Sequence, residues 1–170
     1  MATELEAKFK VDGFVAVEAA LIAAGADFLS GVLQRDVFFD TLDRQLKKSG
    51  RGLRLRELTV LESGSRPEPQ RFLLTYKGPR QDRNGLKIRE EIQTPLEDGA
   101  AMTEILLGAG WRVFMRFEKR RRSFRLGQAE IELDELPMLG GFVEIEAPSE
   151  TLLHEVRRKI GLPDEPISES

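Results

Sequence analysis

The chain has 170 residues, of which 41% are hydrophobic and 32% are charged, a balance typical of a folded globular protein. Its net charge of −3 at pH 7 disfavours a dedicated nucleic-acid-binding protein, and the absence of cysteine excludes disulfides, thiolate metal sites and cysteine nucleophiles. The amino terminus lacks the pattern of a signal peptide and no apolar run is long enough to span a bilayer, so we expect a cytoplasmic protein.

About eight strands and three helices are predicted along the chain. In chain order they are a strand over residues 3–11, a helix over 13–24, strands over 33–41, 52–60, 70–77 and 86–94, a helix over 96–107, strands over 111–126, 129–136 and 141–147, and a helix over 150–160. Asp12 is expected to cap the first helix, and Pro95 to end the strand before the second. Because the chain shows no internal repeat and no interdomain linker, we expect a single domain over residues 1–170, with its core at 3–162 and a tail at 163–170.

The first strand carries the most informative pattern of the chain. At a period of two residues, Glu4, Glu6 and Lys8 share one face of the strand, while Leu5 and Ala7 share the other. Two carboxylates on one face repel each other unless a cation lies between them, and the nearby lysine suits an anion. A divalent metal carrying a phosphate would satisfy all three charges. An ordinary half-buried strand with a solvated face also explains these five residues, so the interpretation depends on whether other strands repeat the pattern.

Later strands repeat the charged face with both signs. Its positions are Asp36, Asp40, Arg54, Arg56, Thr75, Lys77, Lys87, Arg89, Glu91, Lys119, Arg121, Arg125, Glu130, Glu132, Asp134, Glu144 and Glu146. This face could simply meet water beneath a sheet whose other face is covered by the helices. A sheet of about eight strands, however, commonly curls or closes around side chains or one small ligand.

Closure with the apolar face outward would bury many charges, at a cost of several kcal/mol each unless they are paired or liganded. The acidic strands would then require a metal and the basic strands a polyanion. The pattern therefore predicts a site for a metal-bound polyphosphate. Ligands that are all carboxylate oxygens favour Mg²⁺ or Mn²⁺ over zinc.

These motifs together resemble the CYTH superfamily, the triphosphate tunnel metalloenzymes, which include class IV adenylyl cyclases and thiamine triphosphatases. The E-x-E-x-K hallmark corresponds to residues 4–8, and further matching runs lie at residues 34–41, 53–56, 75–79, 89–91, 119–121, 133–134 and 141–146. The resemblance extends in order from residue 3 to about residue 162. It implies an α+β protein, an eight-stranded antiparallel closed β-barrel with a charged lumen and helices packed outside.

The resemblance also implies roles for individual residues. Metal ligands would be Glu4, Glu6, Asp134, Glu144 and Glu146; triphosphate-binding residues would be Lys8, Arg54, Arg56, Lys77, Arg89, Lys119 and Arg121; and Glu4, Glu6 and Lys8 would act in catalysis. Asp36, Asp40, Glu91 and Glu132 are expected to support the site, with Glu90 as the alternative to Glu91.

Such machinery serves two reactions, because phosphoryl transfer needs mainly positioning and charge neutralisation. Attack by the 3′ hydroxyl of ATP gives cyclic AMP and pyrophosphate, whereas attack by water gives hydrolysis. The runs at residues 34–39, 76–79 and 139–146 resemble the class IV cyclase branch most. The cyclase reaction is therefore the expected function, and a triphosphatase acting on inorganic triphosphate, thiamine triphosphate or nucleoside triphosphates is the alternative.

A polyphosphate or nucleotide sensor without catalysis is a less favoured third hypothesis, since binding alone would be better served by fewer carboxylates. The expected partner is a small-molecule triphosphate, with no nucleic acid and no membrane, and the expected assembly is a monomer or a homodimer. No adenine pocket can be identified from the sequence.

Overall fold

The computed structural model describes the backbone of residues 2–167 and the side chains of residues 5–167. Within that range, segments of alternating polarity form strands that pair antiparallel in a single sheet. In chain order the elements are β1 (Ala2–Val11), α1 (Val15–Ala23), β2 (Asp27–Asp40), α2 (Gln45–Lys48), β3 (Gly52–Ser63), β4 (Phe72–Lys77), β5 (Gln81–Arg83), β6 (Leu86–Leu96), α3 (Gly99–Gly108), β7 (Arg112–Leu126), β8 (Ala129–Leu136), β9 (Gly140–Glu146) and α4 (Glu150–Lys159).

Eight of the strands close into a barrel. They follow the order β1-β9-β8-β7-β2-β3-β4-β6, and β1 pairs back with β6, placing Glu4 opposite Arg89 and Glu6 opposite Lys87. The short strand β5 pairs with β6 as a hairpin beside this ring. Closure leaves the eight strands without exposed edges. The closed eight-stranded antiparallel barrel expected from the sequence is thus confirmed.

The hydrophobic core lies outside the barrel wall, beneath α1 and α4. Buried side chains from β1, β8 and β9 pack there against Leu21 of α1 and Leu153 of α4; among them are Phe9, Ile131, Leu133, Val143 and Ile145. Because successive residues of a strand point to opposite faces, burying these residues outward directs their charged neighbours into the lumen. The core therefore orients the functional face of three strands.

The helices begin and pack in different ways. Ser149 caps α4 by accepting a hydrogen bond from the Leu152 N–H, and Asp98 caps α3 in the same way. Helix α3 contributes less to the core than α1 and α4, because its Ile105 and Leu107 remain exposed. It approaches the wall through Gly99, where an added Cβ would lie 2.5 Å from Cδ1 of Phe72. Within residues 2–167, no helix combines the length and apolar character needed to cross a lipid bilayer.

Several predicted boundaries were wrong. Strand β2 begins at Asp27 rather than at residue 33, because register shifts near Ser30 and Gly31 interrupt the two-residue alternation. Strand β6 continues through Pro95, which pairs with Leu73, since a strand tolerates proline where the ladder does not require its N–H.

Other local features were also predicted wrongly or missed. Asp12 does not cap α1, which begins at Val15 with no side-chain hydrogen bond to its first turn. The elements α2 and β5 were missed because four and three residues are too few to show periodicity.

Candidate active site

The barrel encloses a charged cavity of about 460 Å³. Its lining residues are Glu6, Lys8, Asp36, Phe38, Arg54, Arg56, Lys77, Lys87, Arg89, Glu91, Gln93, Met115, Phe117, Lys119, Arg121, Glu130, Glu132, Glu144 and Glu146. We call this cavity the lumen. It gathers residues from all eight barrel strands and from both halves of the sequence, so its chemistry depends on the closure of the sheet.

One side of the lumen is acidic and is built by three adjacent strands. Glu6 of β1 lies opposite Glu146 of β9, which lies opposite Glu130 of β8. In the neighbouring row, Glu144 of β9 lies opposite Glu132 of β8. Directly opposed side chains on antiparallel strands are about 4.5–5.5 Å apart at Cβ, and like charges in such pairs are destabilising. The carboxylates on this side of the lumen therefore repel one another, and a bound cation would relieve that repulsion.

Glu146 shows this repulsion most directly. Burial raises its pKa, and the negative charges of Glu6, Glu130 and Glu91 raise it further. Among the described side chains, Glu146 has no ion pair with a lysine or arginine. Its carboxylate is thus the part of the acidic side that most needs a cation.

Arg121 lies between the acidic side and the basic side of the lumen and contacts carboxylates of the acidic side. It donates hydrogen bonds to both carboxylate oxygens of Asp134 at 2.6 Å and to Glu144 at 3.0 Å, and it also contacts Glu132. Burial alone would raise the pKa of Glu144, but the charges of Arg121, Lys119 and Lys8 outweigh it and hold that pKa well below its ordinary value. Glu144 is therefore ionised at neutral pH.

The opposite side of the lumen is basic. Arg56 donates two hydrogen bonds of 2.7 Å to Asp36, a bidentate pair that fixes the guanidinium plane. Beside it, burial and the charge of Arg56 lower the pKa of Arg54 to about 10. Burial and the charge of Arg121 likewise lower the pKa of Lys119 to about 8, although Lys119 donates to Asp134 at 2.6 Å. A lowered pKa of a buried cation means that the surrounding negative charge does not fully offset its burial. A bound polyanion would supply the additional negative charge.

Further lysines extend the basic side toward β6. Lys8 lies 3.5 Å from Glu144, Lys87 lies 3.8 Å from Glu6, and Lys77 forms an ion pair with Glu91. Burial lowers the pKa of Lys87, the carboxylates of Glu6 and Glu144 oppose that effect, and Arg80 and Lys8 add to it. These lysines are therefore near the boundary between the two sides, where a metal-bound phosphate would meet both.

A divalent metal fits the donors of the acidic side by their chemistry. All are carboxylate oxygens, the ligands that Mg²⁺ and Mn²⁺ prefer, and the raised pKa of Glu146 marks a deficit of positive charge there. Among the described side chains, no three acidic, histidine or cysteine residues are close enough together to hold a metal ion without moving. The side chain of Glu4, a further ligand that the family resemblance implied, lies outside the described residues.

The structure brings most of the sequence-predicted site residues into the lumen. Those that line it are Glu6, Lys8, Asp36, Arg54, Arg56, Lys77, Arg89, Glu91, Lys119, Arg121, Glu132, Glu144 and Glu146. Between the two adjacent candidates on β6, Glu91 lines the lumen and Glu90 is exposed on the other face.

Two predicted residues lie elsewhere. Asp134 is completely buried behind Lys119 and Arg121, which favours a positioning role for it over the metal-binding role that the resemblance implied. Asp40 does not line the lumen; its carboxylate accepts hydrogen bonds from the N–H groups of Leu46 and Lys47 at the start of α2.

Several lumen residues were not selected as site residues from the sequence. Lys87 and Glu130 share the charged face of their strands, so strand parity alone could have added them to the site. Phe38 lies on the same face of β2 as Asp36, and Phe117 on the same face of β7 as Lys119. Only charged side chains were selected as site residues from the sequence, and strand parity is the signal that could have placed these two rings inside.

Comparison with known proteins identifies a family that matches almost the whole chain. The CYTH domain family matches residues 2–164. A candidate adenylate cyclase of Methanocaldococcus jannaschii is 32% identical over 143 residues, which cover 84% of this chain and 75% of that protein.

Solved structures with the same fold include proteins of Pyrococcus horikoshii and Hippeastrum. The PH1012 protein of Pyrococcus horikoshii has a TM-score of 0.80 at 23% identity, with 98% of this chain and 96% of that chain covered. HpAC1 of Hippeastrum, described as a candidate adenylyl cyclase with a dominant triphosphatase activity, has a TM-score of 0.73 at 19% identity, with 98% and 92% covered. The likeness to these two structures concerns the fold. The match over nearly the whole sequence and the identity to the archaeal relative show that this chain belongs to the CYTH family.

Proposed function

We propose that this protein is a divalent-metal-dependent enzyme that acts on a triphosphate, converting ATP into cyclic AMP and pyrophosphate. The observation that carries the proposal is the division of one lumen into a crowded acidic side and an incompletely neutralised basic side. A metal with a triphosphate supplies the missing charge on both sides at once.

The basic side would hold the phosphate chain. Arginine can bind two phosphate oxygens with its planar fork, and Arg56 is already oriented for this by Asp36. Lys119 is oriented by Asp134 and is expected to regain its full charge beside a phosphate. A phosphate chain fixed along these residues presents its phosphorus atoms in a set order, which is what in-line displacement requires.

The acidic side would hold the metal. Glu6, Glu144 and Glu146, together with Glu4 by the family resemblance, are the residues expected to bind it. When bound, Mg²⁺ or Mn²⁺ supplies neutralisation of the charge that develops on the phosphate oxygens. In the cyclase reaction the ribose 3′ hydroxyl gives up its proton to solvent and its oxygen forms a bond to the α-phosphorus. The bond from that phosphorus to the bridging oxygen breaks, and pyrophosphate leaves.

Hydrolysis is the second candidate function, because the same charges would serve an attacking water. The Hippeastrum neighbour is described as dominantly a triphosphatase, whereas the archaeal relative is described as a candidate adenylate cyclase. The identity between this chain and the archaeal relative is higher, 32% against 19%, and this supports our proposing the cyclase reaction ahead of hydrolysis.

Phosphorus NMR separates the two reactions in one experiment. The protein is incubated with ATP and Mg²⁺ or Mn²⁺, and inorganic triphosphate is tested beside it. Cyclic AMP with pyrophosphate is the expected product pair; ADP or AMP would assign hydrolysis instead, and turnover of inorganic triphosphate alone would remove ATP as the substrate.

Matched variants test whether the reaction takes place in the lumen. Glu6→Gln is expected to abolish most turnover while retaining triphosphate binding, and Glu118→Gln is the control because Glu118 pairs with Arg35 on the exposed outer face. If the unmodified protein binds triphosphate tightly but turns nothing over, it is a sensor rather than an enzyme.

A further inference from the structure

Two aromatic rings stack inside the charged lumen. The ring centroids of Phe38 and Phe117 are 5.6 Å apart with an angle of 19° between their planes, and both residues line the cavity. Met115, which also lines it, is 50% exposed. These three residues form a continuous apolar surface in a cavity whose other walls are almost entirely ionic; we call this surface the aromatic platform.

The hydrophobic core does not explain the aromatic platform. Neither phenylalanine belongs to the cluster of core residues or to the apolar residues packed against it. Both are half-buried, so part of each ring faces the lumen. Apolar area left facing an aqueous, ionic cavity is unfavourable until something apolar covers it. The platform therefore has the character of a binding surface for an uncharged, flat group.

The platform adjoins the proposed phosphate-binding residues. Phe38 lies opposite Arg54 on β3 and opposite Met115 on β7, while Phe117 is two residues from Lys119 along β7. Two residues along a strand span about 6.6 Å, and neighbouring strands are about 4.8 Å apart. A phosphate chain bound by Arg54 and Lys119 would thus hold its attached organic group within reach of both rings.

We propose that the aromatic platform is the subsite for the organic end of the substrate and that it stacks a nucleobase. Bases stack readily on aromatic side chains because every base presents a flat π face. The subsite would make the protein prefer a nucleoside triphosphate to inorganic triphosphate. This inference rests on the proposed function, because it takes the lumen cations as the triphosphate-binding residues.

Metal-free binding measurements test the subsite without turnover. Isothermal titration calorimetry is performed with α,β-methylene-ATP and, separately, with inorganic triphosphate. Phe38→Ala and Phe117→Ala are each expected to weaken α,β-methylene-ATP by about 5- to 150-fold, the range that loss of one base–aromatic stack produces. Both variants should leave the affinity for inorganic triphosphate within about twofold, because removal of a ring takes away no charge.

Two further variants separate stacking from structure. Phe114→Ala is the control on the same strand, since Phe114 faces outward beneath Arg44 and should alter neither affinity. Phe38→Leu retains apolar volume but has no ring, so it keeps the test available if the alanine variant fails to fold; it too should weaken the nucleotide alone.

The outcomes distinguish the subsite from the proposed function. Equal weakening of both ligands, no weakening of either, or equal affinities of the unmodified protein for both would overturn the subsite and leave the phosphate site standing. Failure of the unmodified protein to bind either ligand, both without metal and with Mg²⁺ present, would overturn the proposed triphosphate site, and the aromatic subsite with it.

Discussion

Replacing Asp134 with asparagine removes the negative charge at the centre of the lumen cations while preserving the shape of the side chain. Asp134 is 0% exposed and accepts hydrogen bonds of 2.6 Å from Nζ of Lys119 and from Nε and Nη2 of Arg121. In the Asp134→Asn variant, both cations would stay buried with less compensation, and Glu132 and Glu144 would remain as acceptors for Arg121.

The size of the expected effect follows from the burial of the pair. Removing one partner of a buried ion pair costs about 3–5 kcal/mol. For a chain of 170 residues, each kcal/mol lowers Tm by about 2–4 °C, so the expected decrease is roughly 6–20 °C. Asp164→Asn is the matched control: Asp164 accepts from Arg157 at 2.8 Å but is 93% exposed at its side chain, so its loss should cost at most about 1 kcal/mol.

The pH dependence of stability gives a second readout. The pKa of Lys119 is lowered to about 8 from an ordinary value of 10.5. Because the folded pKa is below the unfolded one, the unfolded chain binds more protons between these values, and stability from this group rises with pH through that window. Loss of Asp134 should lower the folded pKa of Lys119 further and extend the rise toward neutral pH.

Urea denaturation followed by circular dichroism, at neutral and alkaline pH, measures both effects. A destabilisation no larger than that of Asp164→Asn would refute the reasoning, because it would mean that Lys119 and Arg121 do not depend on Asp134 for compensation. An unchanged pH dependence would refute the assigned role of Lys119 in particular.

Three other perturbations test the charge balance and the packing. Glu146→Gln should stabilise the ligand-free protein by at most about 1 kcal/mol, because it removes a solvent-accessible carboxylate that Glu6 and Glu130 repel. Glu135→Gln, on an exposed position of β8, is the control, and a lower Tm for Glu146→Gln would contradict the repulsion. Triphosphate with Mg²⁺ at about 100 times its Kd should stabilise the folded protein by about 2.7 kcal/mol and raise its Tm by roughly 5–11 °C in a thermal shift assay. Sodium chloride of equal ionic strength should not raise the Tm. An unchanged Tm with triphosphate and Mg²⁺ would count against the site. Gly99→Ala should destabilise the protein by about 1–3 kcal/mol, because the added Cβ would lie 2.5 Å from Phe72. Gly108→Ala is the control: its Cβ would have nothing within 4 Å, so its Tm should not fall. Equal Tm values for the two variants in differential scanning calorimetry would show that α3 is not held against the wall at Gly99.

Much of the site could be predicted because strand parity is a local property. Glu6 and Lys8 alternate with buried Ala7 and Phe9, so placing the apolar pair against the helices directs the charged pair inward. The same reasoning applies to Glu144 and its neighbours on β9 and to Arg54 and Arg56 on β3, and the residues so selected do line the lumen.

Parity could not predict what a charged residue contacts. Asp36, Asp40 and Asp134 are all aspartates on the charged face of their strands, yet their contacts differ. Asp36 holds Arg56 in the lumen, Asp40 accepts hydrogen bonds from the backbone of α2, and Asp134 is buried behind Lys119 and Arg121. The position of each along the barrel depends on strand tilt and register, which are set by pairing between residues distant in the chain.

By itself, the sequence determined the alternation of each strand, the acidic and basic sets and the need for an enclosed site to neutralise them, because these depend on residue type and a two-residue period. Tertiary structure alone decided the level at which each charge meets its partner, the burial of Asp134 and the stacking of Phe38 on Phe117. The stacking and the burial of Asp134 arise when β7 pairs with β2 and with β8. The pairing of β1 with β6 closes the barrel and fixes distances across the lumen that no local pattern contains.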